Sequence, residues 1–227
     1  MGREEYQAGR LAVIFLGPPG SGKGTQARRM AERLSVPQIS TGDILRDAIK
    51  NKKQTPLGLA AQPRMEAGEL VSDDIVCGLV EERIQAPDCS QGFILDGFPR
   101  TLAQARRIDK VLQAGNSACI HVMNLQVNED ILVKRMTGRR TCSTCGEIYN
   151  IYFNPPRRDG ICDRDGGELQ QRSDDTVEAS RKRQRAYREL TYPLIEHYRG
   201  RKLLHDIDAN QDSIQVTENL YGIVKTA

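Results

Sequence analysis

Residues 11–25 read LAVIFLGPPGSGKGT, an apolar run that passes directly into a glycine-rich segment. The G-x-x-x-x-G-K spacing places Gly17, Gly22 and Lys23 where a backbone without side chains can wrap a phosphate group. Lys23 supplies a mobile cation, and the positive end of the following helix faces the same anion. The stretch therefore predicts a strand, a phosphate-binding loop (residues 17–25, the phosphate loop) and a helix, in that order.

Along the rest of the chain, short apolar runs alternate with longer segments of helical period. After the loop, Ala27, Met30, Ala31 and Leu34 recur at the spacing of one helix face. Such alternation is typical of a parallel sheet covered by helices. We predict an α/β fold of the P-loop NTPase type, with a five-stranded parallel sheet flanked by helices. The strand candidates are residues 11–16, 37–40, 92–96, 119–125 and 202–208.

Several helix boundaries can also be placed. Ser72 stands before two acidic residues and is predicted to cap a helix. Another helix is expected to begin near Thr101 and to be closed by Gly115, and a third to run from Asn128 to about Gly138.

Two segments interrupt the alternation of strands and helices. Residues 41–71 have a helical pattern without a strand, whereas residues 140–171 are rich in Gly, Pro and aromatic residues. We interpret each segment as an insertion into one core. The predicted division is a core of residues 1–40, 72–138 and 173–227, a helical insertion over 41–71, and a second insertion over 139–172, which we call the lid.

Composition limits the classes of partner. The chain has 227 residues with 33 Lys and Arg against 30 Asp and Glu, a net charge of +3 that argues against general coating of nucleic acid. The start MGREEYQAGR lacks the apolar core of a secretory signal, its two Glu disfavour a transit peptide, and Tyr6 breaks the myristoylation pattern. No apolar run approaches the roughly 18 residues of a membrane span. We expect a cytoplasmic monomer that binds neither membrane nor nucleic acid.

Arginines are the candidate catalytic groups, because phosphoryl transfer spreads negative charge over the oxygens of the moving group. Arg100 follows a predicted strand end. Arg135 and Arg139 lie four residues apart and would share a helix face, and Arg172 and Arg183, eleven apart, would share one if helical.

The magnesium ligands are less regular than the loop itself. Gly24 occupies the position where Ser or Thr usually coordinates the ion, and Thr25 follows one residue later. Asp96 closes the strand GFILD and could hold Mg²⁺ directly or through water. Thr25 and Asp96 are therefore the candidate magnesium residues.

Four residues of the lid have the spacing of a zinc ribbon in which a carboxylate replaces one sulfur. Cys142-x-x-Cys145 is followed, after 16 residues, by Cys162-x-x-Asp165, and a glycine follows both Cys145 and Asp165. Four protein ligands would close the site, so we expect structural Zn²⁺. The alternative is three unused thiols in a lid held by hydrogen bonds. Tyr152 and Phe153 nearby are expected to pack in the lid core or on its hairpin. The remaining cysteines are expected to be reduced, structural thiols: Cys77, Cys89 and Cys119. The histidines are expected to be ordinary structural or surface residues: His121, His197 and His205.

Taken in order, six motifs resemble the adenylate kinase family in its long form with a large lid. They are GPPGSGKGT (17–25), TGDILR (41–46), MEAGELVSDDIV (65–76), DGFPRT (96–101), RMTGRR (135–140) and the R-x-D-D run from Arg172, within a match over roughly residues 10–225. The resemblance implies reversible, magnesium-dependent transfer of a phosphoryl group from ATP to AMP under a closing lid. Asp174 and Asp175 would orient arginines, and the family includes lids with three Cys and one Asp on zinc.

The resemblance also implies site residues. Catalytic roles fall on Lys23, Arg100, Arg135, Arg139, Arg172 and Arg183. ATP would be bound by Gly20, Ser21, Gly22, Lys23, Gly24, Thr25, Arg135, Arg139, Ile148, Tyr149 and Gln211. AMP would be bound by Thr41, Arg46, Glu69, Leu70, Val71, Gly97, Phe98, Pro99, Arg100, Gln104, Arg172 and Arg183.

Alternatives remain at this point. A GTP:AMP or a UMP/CMP kinase is a neighbouring possibility; Thr41 and Gln104 favour AMP as acceptor, whereas Ala209 and Gln211 replace a Gly and a basic residue often found near the ATP base. A nucleic-acid module would use the zinc ribbon and the basic run at 180–188, although acidic residues flank that run. A nucleotide switch without chemistry would not need five arginines.

Overall fold

A computed structural model describes residues 10–50, 63–64, 70–114 and 118–225. Its strands are β1 (Arg10–Leu16), β2 (Gln38–Ser40), β3 (Gly92–Asp96), β4 (Ala118–Gln126), β5 (Arg139–Cys142), β6 (Ile148–Asn150), β7 (Leu169–Gln170) and β8 (Leu204–Asp208). Its helices are α1 (Lys23–Leu34), α2 (Thr41–Lys50), α3 (Asp73–Ile84), α4 (Leu102–Ala114), α5 (Glu129–Thr137), α6 (Val177–Ala186), α7 (Pro193–Gly200) and α8 (Ser213–Lys225). A π-helical turn, Tyr187–Thr191, joins α6 to the residues before α7.

The central sheet has five parallel strands in the order β2-β3-β1-β4-β8. Val13 of β1 lies opposite Ile94 on one side and His121 on the other, so β1 is the middle strand. The predicted sheet is therefore confirmed. The last strand begins at Leu204 rather than at residue 202, because Lys202 has φ of 59°, a left-handed conformation that cannot continue a strand.

Helices cover both faces of the sheet and divide the core into two layers. On one face α3, α4 and α7 pack against Ile14, Phe93 and Leu95, with Tyr198 fully buried among them. On the other face α1 and α8 pack against Val13 and Ile94. Because both faces are covered, the strands are apolar throughout rather than alternating, which is why they stand out in the sequence.

The predicted helix boundaries mostly hold. Ser72 is the residue before α3, but its hydroxyl makes no capping hydrogen bond. Helix α4 ends at Ala114, and Gly115 lies outside the described residues. Helix α5 begins after Asn128 and ends at Thr137, with Gly138 as its C-cap residue. No helix among the described residues is both long enough and apolar enough to cross a membrane.

The lid contains a small sheet of its own. Strands β6, β5 and β7 are antiparallel, with β5 in the middle. The buried side chains beneath them are few: Cys142, Tyr149, Cys162 and Leu169. A segment of this length with such a small apolar core needs another source of stability, and the cysteine cluster described below is placed to supply it.

Candidate active site

A cleft of about 730 Å³ opens at the carboxyl ends of the parallel strands, where ligands bind in folds of this type. Its walls come from the phosphate loop, α2, the end of β3, α5, the lid, the segment around α6 and the loop after β8. The described residues that were predicted to bind nucleotides lie in or beside this cleft. Glu69 lies outside the described residues.

The phosphate loop turns sharply because three glycines adopt positive φ. Gly17, Gly20 and Gly22 have φ of 141°, 87° and 97°, values that L side chains rarely adopt. A Cβ at Gly17 would also lie 2.8 Å from the carbonyl oxygen of Leu125. The loop therefore needs glycine for both conformation and space, as its sequence predicts.

Lys23 reaches back over the loop from the first turn of α1. Its Nζ donates to the carbonyl oxygens of Gly17 at 2.7 Å and Pro18 at 2.9 Å. Burial, helped by nearby arginines such as Arg100 and opposed by Asp96, lowers the pKa of Lys23 to about 8. The ammonium is held without a full counter-charge, so a phosphate in the loop would stabilise it.

Asp96 lies beside the start of α1, where it accepts a hydrogen bond from Gln38 Nε2 at 3.1 Å. Burial raises the pKa of Asp96, although Lys23 opposes the shift. A Cβ at Gly24 would lie 3.3 Å from Asp96 Oδ2. A side chain at position 24 would therefore require the Asp96 carboxylate to move by a few tenths of an ångström.

The five candidate arginines line one cleft, but not through the helix faces that their spacing suggested. Arg135 lies in α5, whereas Arg139 begins β5 after the helix has ended, so the prediction of a shared face is wrong. Arg172 precedes α6, which carries Arg183, so that pair does not share a helix either. A turn in which Asp175 N–H donates to Arg172 O at 3.1 Å brings the two arginines together instead.

Two buried acids hold two of these arginines, Arg139 and Arg183. Asp175, which is 0% exposed, accepts from both Nε and Nη2 of Arg139, the former at 2.8 Å. Its Oδ1 also lies 3.7 Å from Arg183 Nη1. Asp174 pairs with Arg183. The prediction that Asp174 and Asp175 orient arginines agrees with these contacts.

The acids do not balance the positive charge. Burial, with Arg139 as the largest neighbouring contribution, lowers the pKa of Arg172 and of Arg183 to about 9. Burial also lowers the pKa of Arg100. A polyanion bound between guanidinium groups that are crowded and partly desolvated in this way would stabilise their positive charges.

The wall of the cleft that is predicted to bind AMP, which we call the acceptor side, is built around the end of β3. Thr41 Oγ1 donates to Gly97 O at 3.0 Å, and Arg100 Nε donates to the same oxygen at 2.7 Å. Gln104 is buried; its Oε1 accepts from Arg100 N and its Nε2 donates to Asp73, each at 2.7 Å. Gln104 therefore holds the backbone of Arg100 in addition to any contact with a base.

Asp43 is a member of the site that the sequence analysis missed. It lies 2.5 Å from Arg46 and 3.7 Å from Arg172. Although its burial acts in the opposite direction, Arg46 keeps the pKa of Asp43 below its usual range. The i,i+3 spacing of Asp43 and Arg46 in TGDILR was the available signal for the first contact, whereas the contact with Arg172 arises only in the tertiary structure.

One prediction about aromatic residues is corrected in part. Tyr152 and Phe153 do not belong to the lid core, since they are 58% and 48% exposed, but their rings contact each other edge-to-face with centroids 6.4 Å apart. The ring centroid of Phe153 lies 5.7 Å from the Arg135 guanidinium at the rim of the cleft. Tyr149 is mostly buried in the lid, where its hydroxyl accepts from Asp163 N at 2.8 Å. Tyr149, Ile148 and Gln211 nevertheless contribute to the cleft wall.

The four lid residues form one cluster. The ligand atoms of Cys142, Cys145, Cys162 and Asp165 all lie within 4.8 Å of one another. Zinc–sulfur bonds of about 2.3 Å in a tetrahedral site put two sulfurs about 3.7 Å apart. Cys145 Sγ and Cys162 Sγ are 3.7 Å apart, and Cys142 Sγ lies 3.3 Å from Asp165 Oδ1, so the cluster fits zinc.

The two halves of the cluster also have matching backbone turns. Gly146 N–H donates to Cys142 O at 3.1 Å, and Gly166 N–H donates to Cys162 O at 2.9 Å. Both glycines have positive φ, 70° and 74°. Asp165 thus occupies the position in its turn that Cys145 occupies in the other, in agreement with the sequence analysis. The cluster can hold a metal ion.

The cysteines outside the lid, Cys77, Cys89 and Cys119, form no disulfide bonds, and Cys77 and Cys89 are buried. Burial raises the pKa of Cys77 to about 11, as expected of an inert structural thiol. His121 is buried on the sheet between Cys119 Sγ and His205 Nε2, each 3.2 Å from one of its ring nitrogens. His197 contacts Asp109 at 2.8 Å.

A phosphate loop with a lysine, and a cleft whose eight arginines include the five predicted to be catalytic, indicate a P-loop phosphotransferase. Comparison with known proteins narrows this class. Residues 15–203 match the family model described as "Adenylate kinase". The chain is 50% identical over 215 residues to the adenylate kinase of Archaeoglobus fulgidus, with 95% of this chain and 98% of that protein covered. It is 48% identical to that of Desulfitobacterium hafniense (92% and 96% covered) and 44% identical to that of Bacillus subtilis (95% and 96% covered).

The chain belongs to the adenylate kinase family. The resemblance found in its motifs is confirmed, and the protein is an enzyme of the phosphotransferase class.

Proposed function

We propose that this protein transfers the terminal phosphoryl group of Mg·ATP directly to AMP, giving two ADP, and that the reaction is reversible. The observation that carries the proposal is the set of partly buried arginines that line one cleft together with the phosphate loop. Burial and neighbouring cations lower the pKa of Arg172 and of Arg183 to about 9, so a bound group with several negative charges would stabilise their charged forms.

ATP would bind on the side of the phosphate loop. The amides of residues 20–25 and Lys23 would contact the β- and γ-phosphates, and the cleft wall around Ile148, Tyr149 and Gln211 would receive the base. Arg135 and Arg139 would contact the donor phosphates. Phe153, next to Arg135, adds a flat apolar surface on this side. Preference for ATP over GTP is part of the proposal.

AMP would bind on the side of α2 and the end of β3. Arg46 and Arg100 would hold its phosphate, and Thr41, Gln104 and the backbone near Val71 would hold its base. Arg172 and Arg183 lie between the two sides and would contact the transferring group and the acceptor phosphate. The remaining proposed AMP contacts are Glu69, Leu70, Gly97, Phe98 and Pro99.

The transfer step needs little acid–base catalysis. The attacking group is a phosphate oxygen, which is already ionised at neutral pH, so a strong general base is not required. Catalysis would come from alignment of donor and acceptor, from exclusion of water, and from cations that meet the developing charge. Asp175 would support this by holding Arg139 and Arg183.

Two metal ions belong to the proposal. Mg²⁺ would accompany ATP and neutralise phosphate charge, with Asp96 and Thr25 as its protein-side residues, directly or through water. Zn²⁺ would be held by Cys142, Cys145, Cys162 and Asp165, and it would have a structural role because four protein ligands leave no open position.

We further propose that residues 41–71 form the AMP-binding segment and residues 139–172 the lid, and that both close over the substrates on the core formed by residues 1–40, 72–138 and 173–227. A monomer is sufficient, because the described residues of one chain supply the cations of both sides of the cleft. We place the protein in the cytoplasm, without a membrane or nucleic-acid partner.

The test is formation of ADP by the purified protein. Mg·ATP should support rapid turnover with AMP and little with CMP, UMP or GMP. The same series with Mg·GTP examines the donor, since Ala209 and Gln211 depart from the common pattern near the base. Turnover with GTP and AMP alone would change the donor assignment, and absence of turnover in folded, zinc-loaded protein would overturn the enzyme proposal.

A further inference from the structure

Two side chains that lie outside the six family motifs connect the donor and acceptor sides of the cleft. Gln184 Nε2 donates to the carbonyl oxygen of Pro19, in the phosphate loop, at 2.7 Å. Thr191 Oγ1 donates to the carbonyl oxygen of Arg100, on the acceptor side, at 2.9 Å. Gln184 lies in α6 and Thr191 in the π-helical turn that follows it.

Both acceptors are main-chain carbonyl oxygens, so these contacts do not compete with phosphate for its N–H donors. In a trans peptide the C=O and the next N–H point in opposite directions. The bond from Gln184 to Pro19 O therefore fixes the direction of the Gly20 N–H, a proposed phosphate donor. Gly20 has φ of 87° and no side chain to restrict it, so an external contact is needed to hold this peptide.

The contact from Thr191 acts on the other side in a comparable way. The Arg100 backbone is held at its nitrogen by Gln104 and at its carbonyl by Thr191, at 2.7 and 2.9 Å. Arg100 Nε meanwhile donates to Gly97 O. Removing the hydroxyl of Thr191 would release one of the two backbone bonds that orient this arginine.

One helical stretch thus joins both loops. Seven residues separate Gln184 from Thr191, roughly two helical turns or on the order of 10 Å. Tyr192 N–H donates to Tyr187 O at 2.8 Å, an i→i+5 bond that marks the π turn between the two contacts. Turns of this kind are rare in proteins overall, and those that do occur are often found at functional sites. Arg183, next to Gln184, belongs to the same stretch.

We propose that Gln184 and Thr191 are positioning residues of the transfer reaction: they fix the separation of the phosphate loop and the Arg100 backbone through the stretch Val177–Thr191. This inference rests on the proposed function. The reacting atoms must approach to about 3–3.5 Å, and an error of about 1 Å can cost roughly 100-fold in rate. Two hydrogen bonds to opposite sides of the cleft are suited to setting this distance.

The experiment measures the rate of phosphoryl transfer in a single turnover with excess enzyme, which separates transfer from lid opening and product release. The variants are Gln184→Leu, Gln184→Glu, Thr191→Val, Thr191→Ser and the double variant Gln184→Leu/Thr191→Val. Gln215→Leu, an exposed change in α8 outside the cleft, is the matched control. Affinities for ATP and AMP and the melting temperature are recorded for each variant.

We expect Gln184→Leu, Gln184→Glu and Thr191→Val each to slow transfer about tenfold, with affinities for both nucleotides within about twofold. Thr191→Ser keeps the hydroxyl and should restore the rate to within about threefold of wild type. The double variant should be little slower than either single variant, because loss of one contact already releases the separation that the pair sets. Gln215→Leu should be unchanged.

The inference is overturned if either single loss leaves the transfer rate unchanged, if Thr191→Ser is as slow as Thr191→Val, or if the two losses simply multiply. The Gln184→Glu variant keeps the size of the side chain, so the test survives should the leucine variant fold poorly. Failure of the proposed function looks different: the wild-type protein itself would then transfer nothing from ATP to AMP.

Discussion

Removal of the negative charge of Asp175 gives the sharpest test of how the arginines are held. Asp175 is fully buried, accepts two hydrogen bonds from Arg139, and lies 3.7 Å from Arg183. Asp175→Asn keeps the shape but replaces one acceptor oxygen with an amide that faces a guanidinium. The variant therefore leaves two partly buried cations, Arg139 and Arg183, with less negative charge beside them than before.

The size of the effect follows from these contacts. Breaking a buried, hydrogen-bonded charge pair by changing one partner costs about 3 kcal/mol or more. For a protein of this size that lowers the melting temperature by about 6–12 °C. Arg139 would remain present but less well aligned, so the transfer rate should fall about 100-fold, less than the 10³–10⁵ attributed to complete loss of a catalytic arginine.

The assay combines single-turnover transfer with thermal unfolding, in the absence and in the presence of an excess of ATP, AMP and ADP at equilibrium. Nucleotide phosphates supply the charge that Asp175→Asn removes, so the deficit in melting temperature should shrink when nucleotides are bound. Glu178→Gln, the same loss of one charge at an exposed position of α6, is the control. Equal rates and equal melting temperatures for the two variants would refute the reasoning.

Three further outcomes are expected. Because the pKa of Lys23 is lowered to about 8 in the free protein, binding of ATP near pH 8.5 should take up protons, and Lys23 alone should contribute roughly 0.75 of a proton. Calorimetry in buffers of different ionisation enthalpy measures this uptake. Absence of uptake would contradict a charged Lys23 in the complex. Purified protein should contain one zinc ion per chain, whereas the Cys162→Ala variant should contain none. Protease should cleave the lid of this variant at least about tenfold faster. Equal metal content in the two proteins would exclude the four-residue site. Glu147 of the lid lies 3.7 Å from Arg28 of α1 and 3.5 Å from Arg164 of the lid, so its carboxylate links the lid to α1. Glu147→Gln removes this charge and should raise the KM for ATP about twofold at low ionic strength. Near 1 M salt, where surface charges are screened, the KM should be unchanged.

Much of the candidate site is local in sequence, and that part could be predicted. The glycines of the phosphate loop are required by backbone conformation within a few residues, so spacing alone identifies them. The same is true of Cys142, Cys145, Cys162 and Asp165, where each pair of ligands and its glycine form one tight turn.

Contacts between distant segments could not be predicted in the same way. Helical spacing suggested shared faces for the arginines, but the chain leaves the helix before Arg139 and enters α6 only after Arg172. The pairing of Asp43 with Arg172 and the position of Phe153 beside Arg135 join segments whose approach has no local pattern. Periodicity describes one element, whereas these contacts depend on how elements pack.

The sequence by itself determined the order of strands and helices along the chain, the phosphate loop, the turns of the candidate metal site and membership of the family, because these depend on short-range backbone geometry and on hydrophobic pattern. Only the tertiary structure decided how the cations are compensated. Burial of Asp174 and Asp175 against the arginines, and the low pKa values of Lys23, Arg172 and Arg183, arise when distant charges are brought together out of water. Electrostatic energy depends on distance and solvent exposure in three dimensions, and neither quantity is written in the spacing of residues along the chain.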